Sequence, residues 1–377
     1  MFTTTRRHTL GAIALALSAI ALPMAANAGA HDAQGLRSGM VFVSSNDAAG
    51  NELLVYARTP EGGLMPYTHM ATGGMGSGAG LGSQGAVTLS LDGRFVFVVN
   101  AMSNSVSTFA LEGTELKLMS TTDSGGLHPI SVTEHHGLVY VLNDGGDGNV
   151  AGFRNVNGTL QPVAGSVQGL SQAGAGPAEV GFSTDGDALV VTEKGTSKLT
   201  SYRVKPDGSL RMPIVTDSPG MTPFGFAFNQ RNRLIVSEAV GGAPGASTVS
   251  SYRFDNSAPA LPVAVSPAVP DTQSAACWVA VTPNGHFAYI TNTGSSTVSS
   301  YRVAPDGRIT LVDAVAGMTG TGSAPADVAV SANGRHLYVR NGRTYTLSAF
   351  HVRHDGRLGE RPVLEGLPTT AVGLAAN

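Results

Sequence analysis

The chain has 377 residues, a formal net charge of −3, 13% charged residues and 49 glycines. Near-neutral charge without any basic run argues against a nucleic-acid partner, because the 23 Lys and Arg side chains are scattered. A single cysteine, Cys277 in "AACWVAVT", excludes a disulfide framework and reads as a small buried apolar residue.

In chain order, residues 1–28 read as a signal peptide. Arg6 and Arg7 form a positive start, Leu10 to Leu22 an apolar stretch, and Ala26-Asn27-Ala28 a cleavage site, with Ala28-Gly29-Ala30 a second choice. The apolar stretch is too short to span a bilayer, and no later segment approaches ~20 apolar residues. The mature chain is therefore expected in the periplasm or outside the cell, by either the general secretory or the twin-arginine route. Residues 29–377 are expected to form one domain.

That domain is written as a repeat of roughly fifty residues. Each copy has a Gly-containing turn, a short β-branched and aromatic run, a polar break, and a Ser/Thr-Val-Ser-x-Tyr segment. Copies open at Asp92, His136, Asp185, Arg231, Asn284 and Asn333, with a looser one at Ser38. A small-residue strand precedes six of them: "AVTLS" from Ala86, "ISVTE" from Ile130, "AEVGFS" from Ala178, "FGFAFN" from Phe224, "CWVAVT" from Cys277 and "ADVAVS" from Ala326. Hairpins such as Pro206-Asp207-Gly208 and Pro305-Asp306-Gly307 introduce a fourth strand. Four strands per copy predict an all-β, seven-bladed propeller of antiparallel sheets. The first copy lacks an inner strand and the C-terminal "TTAVGLAAN" lacks a blade. The C-terminal strand is thus expected to complete blade one and close the ring, removing two sheet edges.

The glycine-rich stretch from Gly73 matches a dinucleotide fingerprint only in letters. It precedes a strand instead of opening a helix, so it is read as a flexible connection between blades one and two, lying over the ring's mouth. "DGGDGN" from Asp144 lacks calcium-loop spacing and reads as a turn. No Cys/His set has metal-ligand spacing, and no cofactor is expected.

Ligands of propellers commonly bind where inner strands converge at the channel mouth, and two columns of repeat positions point there. At or beside the heads of the inner strands lie Gln84, His128, Glu179, Trp278 and Asp327. At the ends of the second strands lie Asn46, Asn100, Asn143, Glu193, Glu238, Asn292 and Asn341. Turn chemistry, with Asn bonding its own backbone, accounts for the asparagines. Glutamate is not a turn residue, so Glu193 and Glu238 stand out, either as channel-facing acids or as partners of a cation such as Lys198. His128 is the one histidine heading an inner strand, and histidine suits acid–base work near neutral pH.

The segments "VYVLN", "VVTEK", "YITN" and "STVSSY", closed into seven blades, resemble the lactonase family of β-propellers, which includes propeller-type 6-phosphogluconolactonase and carboxymuconate cyclase. The resemblance implies that His128 and Glu193 occupy catalytic positions. It also implies an arginine at each of two further positions, which this chain lacks. Pro177-Ala178-Glu179 stands where Pro-Arg is usual, and Asn292-Thr293-Gly294 where Asn-Arg-Gly is usual. Those arginines would bind carboxylate or phosphate and steady negative charge. Their loss argues against a phosphosugar lactone.

The expectation is an exported, monomeric lactone hydrolase or cyclase acting on a less anionic, sugar- or aromatic-derived substrate. His128 would be its general base and Glu193 its acid or water-orienting group. Lys194 or Arg340 would supply compensating charge, with Glu179, Glu238, Asn292 and Asp327 around the substrate. The alternative is a non-catalytic envelope propeller whose amide-rich mouth binds a sugar, peptide or protein.

Overall fold

The computed structural model describes residues 1–2, 39–255 and 258–377. The expected signal peptide falls almost wholly outside the described residues. Seven antiparallel sheets form the ring. Blade two shows the pattern: an inner strand Val87–Leu89, a second strand Phe95–Asn100, a third Ser105–Glu112 and an outer one Glu115–Asp123. Blade one is closed as expected. Its inner strand is the C-terminal Val372–Ala376, paired antiparallel with Met40–Ser44. Asn377 adds a side-chain bond from the Met40 N–H at 2.6 Å, and its carbonyl accepts the Arg58 guanidinium at 2.8 Å. In blade three the outer strand is split into Thr159–Pro162 and Gln168–Gly169, both pairing with the third strand.

Second strands are buried along their whole length in blades three, four, six and seven, because each face packs against a neighbouring blade. The tyrosines of the repeat join the blades. From the second strands, the hydroxyls of Tyr140, Tyr289 and Tyr338 reach forward to the carbonyls of Gly208, Gly356 and Gly62 in the next blade's hairpin. From the third strands, Tyr202 and Tyr301 reach back to the carbonyls of Gly169 and Val269 in the previous blade. All five are fully buried, so each combines a large apolar contact with a satisfied hydroxyl.

The Ser/Thr-Val-Ser segment has a second task, and it corrects the expectation that strand-end asparagines bond their own backbone. Asn100 donates to Ser105 and Ser107, Asn292 to Thr297 and Ser299, and Asn341 to Thr346 and Ser348. These buried amides cross to the third strand and tie the end of the blade together. The glycine-rich stretch is likewise held in place and not a loose connection. Gly76 and Gly78 donate to the carbonyls of Asp47 and Asn46, and the Asn46 amide donates to Ser77 and to the Ala79 carbonyl.

Candidate functional site

Every inner strand of blades three to seven is entered through a left-handed residue: His128, Gly176, Thr222, Ala275 and Ala324. The carbonyl of each accepts the N–H of the residue just past the second strand, namely Asp144, Lys194, Ala239, Thr293 and Gly342. Two columns of residues are thereby held in fixed register at this end of the ring. In the column past the second strand only Asp144 and Lys194 are charged, and they belong to adjacent blades. His128 is half-buried, with its N–H bonded to the Asn104 side chain at 2.7 Å and its carbonyl to Asp144 N–H at 3.0 Å. Lys194 extends to the Gly82 carbonyl at 2.6 Å and lies 5.0 Å from the Phe224 ring centroid. Burial lowers the pKa of its ammonium, while the charge of Asp144 works in the opposite direction. Cys277 is itself buried, and burial pushes its thiol up to about 11, so it is no thiolate nucleophile at neutral pH.

Glu193 and Glu238 do not join this group. Both are fully buried at the end of their own blade, where a longer acid replaces asparagine to reach the incoming connection. Glu193 accepts the Ser171 N–H at 2.9 Å, Thr200 at 2.6 Å, Thr196 at 2.7 Å and the Ser171 hydroxyl. Glu238 accepts the Gly220 N–H, Ser218 and Ser250, with Thr248 on its other oxygen. The cation considered for Glu193, Lys198, pairs instead with Asp217 at 2.6 Å. Asn292, tied to Thr297 and Ser299, has the same strand-end task.

Glu179, Trp278 and Asp327 take equivalent places on the channel wall, opposite Thr192, Thr291 and Arg340 in their sheets. Glu179 accepts the Phe226 N–H at 2.6 Å. Burial lifts its pKa well above the carboxylate range, and the Asp327 charge adds to this. Asp327 is 1% exposed, and burial raises its carboxyl to about 7 even though Arg340 pulls it down. Arg340 is buried too, donating to the Ala326 carbonyl at 2.9 Å, so its charge serves the interior of the ring. Across this channel lies Gln84, whose amide is bonded to the Val279 backbone of blade six. A Cβ at Gly225 would fall 2.2 Å from the Gln84 Oε1, so glycine leaves room for the crossing. Among the described residues, no three His, Cys, Asp or Glu side chains are placed to hold a metal ion.

Residues 245–363, from the approach to the third strand of blade five to the outer strand of blade seven, match the family model described as Lactonase, 7-bladed beta-propeller. The chain resembles the lactonase propellers. Among solved structures, a 6-phosphogluconolactonase assigned provisionally in Bacteroides fragilis is 19% identical with a TM-score of 0.71, covering 92% of this chain and 100% of that one. The Pseudomonas aeruginosa periplasmic gluconolactonase PpgL is 18% identical with a TM-score of 0.69, covering 89% and 98%. At these identities the likeness concerns the fold. None of the curated proteins matches the chain in sequence.

From the sequence His128, Glu193 and Lys194 stand out, while Asp144 reads only as a turn residue. The signal for Asp144 lay one position beyond the strand-end column, where its counterparts Ala239, Thr293 and Gly342 are uncharged.

Proposed function

We propose that the chain is an exported lactonase-type hydrolase that opens a lactone of a sugar- or aromatic-derived acid at the mouth of the channel. The observation that supports this reading is the link between adjacent blades three and four, where the Asp144 N–H bonds the His128 carbonyl and the Asp144 charge acts on the Lys194 ammonium. In this mechanism the His128 imidazole takes a proton from water as the water oxygen attacks the lactone carbonyl carbon. The Lys194 ammonium stabilises the oxyanion that develops there. The ring C–O bond then breaks, and His128 returns the proton to the departing alkoxide, leaving a hydroxy acid. Glu193 is a positioning residue that fixes the strand end from which Lys194 projects. One ammonium in place of two guanidinium groups suits a lactone with few negative charges. The names of the solved neighbours support a lactone substrate, and residues 1–28 support export.

A panel of aldono-, aryl- and acyl-homoserine lactones tests the reading. Turnover of at least one is expected, with kcat reduced ~10²-fold or more in His128→Ala and an unchanged melting temperature. No turnover above background on any of them would overturn it. That outcome would favour a non-catalytic binding propeller, for which the channel crossing by Gln84 and the fully occupied Glu193 and Glu238 carboxylates speak. Ligand-induced thermal stabilisation without product would then be the result sought.

A further inference from the structure

We propose a second site on the opposite face of the ring: a cleft between blades three and four that binds a small organic molecule carrying two or more carboxylate or phosphate groups. It lies at the other end of the inner strand from His128. The seven residues of Pro129–His135 separate the two ends by roughly 20 Å at the rise of a β-strand. The cleft has a volume of about 390 Å³, in the range of small-ligand pockets, and is lined by His135, His136, Arg154, Arg203, Lys205 and Arg211.

The balance of charge singles this cleft out. Four fixed cations and two histidines face two lining carboxylates, Asp185 and Asp187. Asp185 is already engaged: one oxygen accepts the Ser183 hydroxyl and the Asp187 N–H, and the other accepts the Asn232 amide. Asp207, on the same hairpin as Lys205, accepts the Ser209 hydroxyl and N–H, and the Lys205 charge also acts on its carboxylate. Among the described residues the ion pairs involve none of Arg154, Arg203, Lys205 and Arg211. Arg154 has one long bond, 3.4 Å, to the Pro206 carbonyl. His135 is held by the Thr184 carbonyl and packs edge-on to His136.

The equivalent cleft between blades two and three provides an internal contrast. It is similar in size, about 330 Å³, but its Arg94 is paired with Asp92 at 2.6 Å and Glu134 adds a further negative charge. The same topology therefore gives a neutralised cleft in one seam and, in the next, a cleft whose lining cations outnumber its carboxylates. Three guanidinium forks within one concavity match the paired oxygens of carboxylate and phosphate. The cavity is too small for a folded partner but large enough for a ligand with several such groups.

Calorimetric titration of the full mature chain with pyrophosphate and with citrate tests the proposal. Saturable binding of either probe is expected, weakening as NaCl is raised. It should weaken at least about tenfold in Arg203→Ala/Arg211→Ala, a loss of ~1.4 kcal/mol, and remain unchanged in Arg308→Ala on another hairpin. Lys205→Gln provides a second, single-site variant with a smaller loss in the same direction. Binding of pyrophosphate alone assigns the site to phosphate esters, and of citrate alone to polycarboxylates. Saturation by neither probe, or equal affinity in the parent and the double variant, would overturn the proposal.

Discussion

The side chain of Gln84 is bonded in both directions to the backbone of Val279, donating from Nε2 to the carbonyl at 2.8 Å and accepting the N–H at Oε1 at 3.1 Å. The backbone N–H of Gln84 also donates to the Ala178 carbonyl at 3.0 Å. One residue at the entry to blade two thus touches blades four and six across the axis. It acts like an added rung between inner strands that are too far apart to pair.

Replacing Gln84 by alanine removes both side-chain bonds and leaves the Val279 N–H and carbonyl without these partners. A loss of about 1–3 kcal/mol is expected, read as a lower denaturant midpoint with an unchanged slope. Gln84→Glu should be worse at pH 8 than at pH 5, because it adds an acceptor facing the Val279 carbonyl and a negative charge at a buried position. Equal stability of all three proteins would show that the crossing contributes nothing.

Glu193 and Glu238 should behave as structural residues. Alanine at either position strands several buried donors and should cost about 3 kcal/mol or more, measured by chemical denaturation. If Glu193→Ala abolished turnover at full stability, the residue would have a chemical role that its hydrogen bonds do not explain.

Asp327 should make the ring less stable as pH rises. Its carboxyl is raised from 3.8 to about 7 in the folded chain. Between those values the native state holds the proton that the unfolded chain has released. Its contribution to stability is therefore intact below pH ~4 and lost by pH ~7. Asp327→Asn has no proton to lose and should gain on the parent by up to about 3 kcal/mol between pH 5 and pH 8. Comparing melts of the two proteins at each pH isolates this group from Asp271, whose carboxyl is also raised, to about 6. A difference that does not vary with pH would refute the assignment.

Deleting the residues after Pro368 removes the inner strand of blade one and the Asn377 bonds to Met40 and Arg58. The truncated chain should lose its cooperative thermal transition or melt far lower, since both edges of the opened ring would be exposed. An unchanged melting temperature would mean that closure is dispensable.

The sequence by itself determined the architecture, because the features that build a blade are local and repeated. Alternating apolar runs, Gly and Asn turns and the Ser/Thr-Val-Ser-x-Tyr segment specify strands and hairpins within about fifty residues. Even closure by Val372–Ala376 was legible, as one blade lacked a strand that another segment could supply. The family resemblance also marks His128 and Glu193 for attention, with Lys194 named only as a compensating charge. Tertiary structure decided what each polar exception does. Glu193 and Asp144 both sit at the end of a second strand, one residue apart in the repeat, yet the first is sealed among four donors and the second is bonded through its N–H to the His128 carbonyl. The partners that decide this lie in other strands or blades: Ser171 for Glu193, Gly82 for Lys194, Val279 for Gln84. The repeat gives every blade nearly the same local pattern. Where a side chain's charge ends up depends on which residues the closing ring brings around it, and that information is spread over the whole chain.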